Sequence, residues 1–137
     1  MHVRDAMTDV VVTVGPEHTL REAARRMCAR GAGAAVVTDE EQAGPCIITE
    51  RDILRSISDD GVPDEERVRD HLTAELVFAS PDWSLEQAAT EMVKGGFRHI
   101  VVVEDGDVAG IISMRDIVRC WTTEGATSAV PAGAPPT

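Results

Sequence analysis

Tyrosine is absent from this chain, and two Phe and two Trp bring aromatic residues to only 3% of its 137 positions. Stacking of a base on an aromatic ring is therefore not an expected mode of binding, and a planar ligand would have to lie among aliphatic side chains. Basic residues are also scarce: 13 Lys and Arg stand against 24 Asp and Glu, a formal charge of −11. A surface of that sign repels nucleic-acid backbones and anionic lipid, so neither is an expected partner, and any anionic ligand must find positive charge locally. Only three cysteines occur, Cys28, Cys46 and Cys120. Their odd number, lack of metal-type spacing and apolar surroundings predict buried, reduced thiols with no disulfide and no structural zinc. Nothing pairs His2 and His71 into a metal site. No apolar run approaches the roughly 20 residues of a membrane span. The start Met1-His2-Val3-Arg4-Asp5 lacks the features of a signal peptide, so a cytoplasmic location is expected. Catalytic patterns are missing too: no Ser-His-Asp arrangement, glycine-rich phosphate loop or cluster of ligating residues is legible, so neither an enzyme nor an obligatory cofactor is expected.

What the chain does contain is a repeat. Val3-Arg4-Asp5 returns as Val68-Arg69-Asp70, Thr8 as Thr73, Pro16 as Pro81, Leu20 as Leu85, Ala23-Ala24 as Ala88-Ala89, Met27 as Met92 and Gly31 as Gly96. Of the 36 aligned positions from Val3 to Thr38, 13 are identical, and Ile47 to Ile57 matches Ile111 to Trp121 at 6 of 11. Unrelated segments share roughly one residue in fifteen at typical residue frequencies, so a unit of about 60 residues is written twice. With 43% hydrophobic residues the chain can bury the core of one ordinary domain, or of two small ones that share it.

Both copies predict the same elements. Thr19-Leu20-Arg21-Glu22 and Ser84-Leu85-Glu86-Gln87 have the spacing of capping boxes and should open helices. Leu20, Ala23, Ala24, Met27 and their counterparts Leu85, Ala88, Ala89, Met92 form one buried stripe, which glycine ends at Gly31 and at Gly95-Gly96. Short apolar strands follow at Ala34 to Thr38 and Ile100 to Val103, with Asp105-Gly106-Asp107 as a hairpin signal. A second strand, Ile47-Ile48 or Val108 to Ile112, leads into a second helix beginning at Thr49 or Ser113. Each copy thus reads strand, helix, strand, strand, helix, an α+β unit too small to hide both helical faces alone. The boundaries are 1–58 and 68–122, joined by the acidic, Gly- and Pro-punctuated linker 59–67 and followed by an Ala-, Gly- and Pro-rich tail, 123–137, whose composition predicts disorder.

The closing segments Ile47-Ile48-Thr49-Glu50-Arg51-Asp52 and Ile111-Ile112-Ser113-Met114-Arg115-Asp116 carry the chemistry. A strand ending in Thr or Ser just before a helix presents a hydroxyl and the first free amides together, an anion site supported by the helix dipole. Asp52 and Asp116, three positions on, lie in the first turn, where a carboxylate can accept both hydroxyls of a ribose. Arg51 and Arg115 supply charge nearby. The same spacing is also an acceptable helix cap, worth about 1 kcal/mol with no ligand at all.

Two V-x-D-x-[ML]-T openings, a capped helix, a Val-rich strand and a closing apolar-apolar-[ST]-x-x-D resemble a pair of cystathionine-β-synthase (CBS) domains, over Val3 to about Trp121. The resemblance implies two copies packed through their sheets about a pseudo-twofold axis, with two clefts between them. In that family such clefts commonly hold AMP, ADP, ATP or S-adenosylmethionine as regulatory ligands. It further implies that Thr49, Asp52, Ser113 and Asp116 meet ribose and phosphate, that Arg98-His99 reach phosphate, and that adenine lies against the first strand at Val12 and Val14 or Val77 and Ala79. Copy one has Gly33-Ala34 in place of Arg98-His99, so one cleft is better equipped for a phosphorylated ligand; the bland reading of Arg98-His99 is a solvated strand edge. The family's glycine before the closing apolar pair stands at Gly110 but is replaced by Pro45-Cys46 in copy one, which crowds the place where a ligand would approach. Homodimerisation is implied through Ile53, Leu54, Ile57, Ile117, Val118 and Trp121. The expected function is a regulatory adenosyl-ligand module acting on an unknown protein partner; the alternative is a ligand-free dimeric interaction or stress-response scaffold.

Overall fold

In the computed structural model, residues 1–39, 44–74 and 76–124 are described. Thr19 and Ser84 cap the two long helices as their spacing predicts: each hydroxyl accepts the amide three residues on, Glu22 N at 3.1 Å and Gln87 N at 3.0 Å. The helices end where Gly31 and Gly96 adopt the left-handed conformation, φ 62° and 71°, that a side chain would resist.

The first half contains α1 (Val3–Ala6), β1 (Thr13–Val14), α2 (Leu20–Arg30), β2 (Ala34–Val37), β3 (Cys46–Thr49) and α3 (Glu50–Ser58). The second contains a 3-10 turn (Val68–Asp70), β4 (Phe78–Ala79), α4 (Leu85–Gly95), β5 (His99–Glu104), β6 (Asp107–Ser113) and α5 (Met114–Glu124). The one addition to the expected order is the helical turn that each Val-Arg-Asp opening forms. In both halves the first strand pairs parallel with the second, and the second antiparallel with the third. α5 continues through Thr123 and Glu124, two residues into the segment read from composition as tail; the rest of that tail lies outside the described residues.

Three apolar clusters hold this together. One lies between the first sheet and its helices, around Leu20, Met27 and Ile48; its counterpart in the second half centres on Leu85, Met92 and Ile112. The third, Ala34, Val36, Ile47, Val101 and Ile111, draws on both sheets and is the layer where the halves meet face to face. All five are less than 9% exposed, Val101 fully buried among them, so water is excluded from this layer.

The openings are exchanged. Val68, from the second copy, is buried in the first half's core, and Val3 in the second half's. Backbone bonds repeat the exchange with mirrored partners: Val3 N to Trp83 O and Val68 N to His18 O, Arg4 N to Pro81 O and Arg69 N to Pro16 O, Leu85 N to Met1 O and Leu20 N to Glu66 O. These pairs express the pseudo-twofold relation. They also show the linker docked onto the start of α2, where Asp64 pairs with Arg21.

Candidate ligand-binding clefts

Two cavities open beside the sheet junction, of about 540 and 430 Å³, both within the roughly 300–1,000 Å³ typical of small-molecule sites. The larger is walled by Val10, Val11 and Val12 of the first half and by Ser113, Arg115 and Asp116 of the second. The smaller inverts this, setting Thr73, Ala74 and Leu76 against Thr49, Arg51 and Asp52. Each therefore combines one half's opening with the other half's closing motif. The opening is held there by backbone: Thr8 exchanges two bonds with Ile111, at 2.9 and 3.0 Å, and Thr73 N donates to Ile47 O at 3.0 Å.

Both closing motifs form reciprocal caps. Ser113 N donates to Asp116 Oδ2 at 2.8 Å, and Asp116 N to Ser113 Oγ at 3.0 Å. Thr49 N donates to Asp52 Oδ2 at 2.8 Å, and Asp52 N to Thr49 Oγ1 at 3.4 Å. Capping is thus fully realised in both copies, yet both motifs also face a cavity. The smaller cleft carries extra bonds: the hydroxyls of Thr49 and Thr73 donate to Asp52 Oδ2 at 3.0 and 2.6 Å.

Arg98 and His99 line both cavities. His99 pairs with Ser113 in the sheet and is partly buried at the point where the cavities approach. Burial pushes its imidazole below the ordinary 6.5, against the opposing pull of Glu50 and Asp116. Opposite it lies Gly33, where a β-carbon would come within 3.0 Å of Glu50 Oε1 and 3.1 Å of His99 Nε2. In a chain of such negative charge, the larger cleft gathers Arg30, Arg98, Arg115 and Arg119 against Glu50 and Asp116.

Several sequence readings need correction. Val12 lines the larger cleft, but Val14, Val77 and Ala79 do not line either one. Val14 and Ala79 turn into the cores within the strands, 1% and 3% exposed, and Val77, just before β4, packs against the core as well. The cleft walls come instead from Val10, Val11 and Val12 before β1 and from Thr73, Ala74 and Leu76 before β4. Arg51 and Arg115 line their clefts but also bond across the halves, donating to the carbonyls of Gly96 at 2.7 Å and Gly31 at 3.0 Å. Gly110 has a packing reason: a β-carbon there would lie 2.5 Å from Thr8 O. Of the stripe assigned to dimerisation, Ile53 and Ile117 belong to the cores and Trp121 packs against one. Cys28 is exposed, not buried, on the outer face of α2. The contributions of Arg30, Arg119, Glu50 and Thr73 were missed; Thr73 had a signal, since Thr8 and Thr73 match across the copies.

The chain matches the CBS domain family twice, over residues 3–59 and 68–122. It belongs to the CBS-domain family. This CBS pair is 33% identical over 129 residues to the CBS domain-containing protein YhcV of Bacillus subtilis, covering 93% of this chain and 91% of YhcV. It is similar to the crystal structure of the CBS-domain protein ATU1752 from Agrobacterium tumefaciens, with 35% identity, a TM-score of 0.78 and coverage of 86% and 91% of the two chains. A further match is PAE2072 from Pyrobaculum aerophilum, solved in complex with AMP, at 26% identity and TM-score 0.77, covering 93% of this chain and all of that one. Relatives differ in length: the CBS pair spans only 41% of MJ1225 from Methanocaldococcus jannaschii, 31% identical over 117 residues. Among the described residues no helix is long and apolar enough to cross a membrane.

Proposed function

We propose that this CBS pair is a regulatory module that holds an adenosyl ligand, of the AMP, ADP, ATP or S-adenosylmethionine type, in the larger cleft and passes its presence to a protein partner. The observation that carries this reading is that Ser113 and Asp116 face Val10 to Val12 across the junction of the halves. A ribose on Asp116, a phosphate among the four arginines and a base on the aliphatic wall would touch both halves at once. Such a ligand favours one angle between the halves by its differential affinity, which is how binding becomes a signal. The AMP complex of PAE2072 supports the choice of ligand class.

A thermal-shift panel of AMP, ADP, ATP and S-adenosylmethionine tests it. A ligand at about 100 times its Kd stabilises by roughly 2.7 kcal/mol, which raises the melting temperature by several degrees. Asp116→Ala should abolish the rise. No shift with any ligand would instead favour a ligand-free scaffold.

A further inference from the structure

The two clefts share a plan but not a state of satisfaction. In the smaller, Asp52 Oδ2 accepts from three donors: Thr49 N, the Thr49 hydroxyl and the Thr73 hydroxyl. Three donors crowd the two lone pairs of Oδ2, the Thr73 hydroxyl making the shortest of the three contacts, and both hydroxyl protons are spent on it. In the larger cleft, Asp116 Oδ2 accepts only Ser113 N, and Oδ1 faces Arg119 at 3.7 Å. There the Ser113 hydroxyl accepts from Asp116 N but its own proton has no acceptor among the described residues. Thr8, the counterpart of Thr73, bonds only through its backbone among those residues.

We infer that only the larger cleft accepts a ribose-bearing ligand, because in the smaller one the Thr73 hydroxyl already holds the place on Asp52 that a ribose hydroxyl would take. The inference deepens the adenosyl reading and rests on it. Asp52 is only 8% exposed, and at 2.6 Å the Thr73 bond is a short, charge-assisted one, so a ligand hydroxyl must break it and leave the half-buried Thr73 hydroxyl seeking a new partner. At Asp116 the incoming hydroxyls displace nothing of that kind. Thr73 is thus an internal stand-in for ligand: it clamps the second copy's opening to α3 permanently, while the equivalent clamp across the larger cleft waits for a molecule from outside.

Isothermal titration of the full chain with AMP, and separately with S-adenosylmethionine, should read one site per chain. Thr73→Val keeps the shape and removes the hydroxyl, so it should add a second site; Thr73→Ser keeps the hydroxyl and should stay at one. Asp116→Asn should weaken the wild-type site by about tenfold or more, the equivalent of one hydrogen bond to a charged group, and Thr73→Val combined with Asp116→Asn should bind through the smaller cleft. Two sites in the wild type, or one site in Thr73→Val, overturns the inference and leaves the adenosyl reading intact. If neither ligand binds the wild type or Thr73→Val, the adenosyl reading falls and takes this inference with it. The wild-type stoichiometry remains decisive should Thr73→Val fail to fold.

Discussion

Arg115 Nη1 donates to the carbonyl of Gly31 at 3.0 Å, tying the start of α5 in one half to the end of α2 in the other. Its mirror, Arg51 to Gly96 at 2.7 Å, does the same for α3 and α4. A helix C-terminus leaves carbonyls unpaired at the negative end of its dipole, so a guanidinium there is both a donor and a matched charge. Both arginines are exposed, which limits each bond to about 0.5–1 kcal/mol. Arg51→Ala and Arg115→Ala should each lower the unfolding free energy by that amount, and the double variant by nearly the sum. A chemical melt that shows no change in either would remove these bonds from the account of how the halves are held.

Gly110→Ala should cost about 1–3 kcal/mol, as overpacking does, since the new methyl would meet Thr8 O at 2.5 Å and part the Thr8–Ile111 backbone bonds. Hydrogen exchange at the Ile111 amide is the direct readout. Protection unchanged from wild type would show that the opening segment yields without losing its pairing.

The partly buried His99 makes stability fall on acidification. Its folded pKa lies below the ordinary 6.5, so under mildly acidic conditions the unfolded chain binds the proton first. Stability is then complete above about 6.5 and declines as the pH drops from there toward the lowered folded value. The urea midpoint should fall between pH 7.5 and pH 5.5, and fall less in His99→Gln. Equal declines in the two proteins would assign the effect to other groups.

Leu54, Ile57 and Val118 stand 66%, 49% and 51% exposed on α3 and α5. Helices with such apolar outer faces are surfaces for self-association. Leu54→Glu combined with Val118→Glu should shift the mass measured by light scattering toward the monomer, with stability changed by no more than about 0.5 kcal/mol, as for surface positions. A monomeric wild type would dispose of this expectation.

Much of the fold was legible because it was written twice. Both capped helices, both glycine stops and the Asp105-Gly106 hairpin follow from local rules, and the duplication carried the register from one copy to the other. The closing motifs were legible as caps and as cleft residues, since both follow from a hydroxyl placed before a helix. What could not be read was which neighbour each residue meets. Val14 and Val12 share a strand face in the sequence, but only sheet pairing decides that Val14 is covered. Arg51 reaches a carbonyl 45 residues away and Thr73 a carboxylate 21 residues away, contacts that depend on the exchanged openings and on no local pattern.

Because Val3 completes the core of one half and Val68 that of the other, neither unit contains everything needed to finish itself. Severed within the connecting segment, each fragment would carry an arm with nothing to grip and a socket with nothing in it, and only mixing the fragments would restore both. The connecting segment thus tethers two halves that the arm exchange already holds to one another.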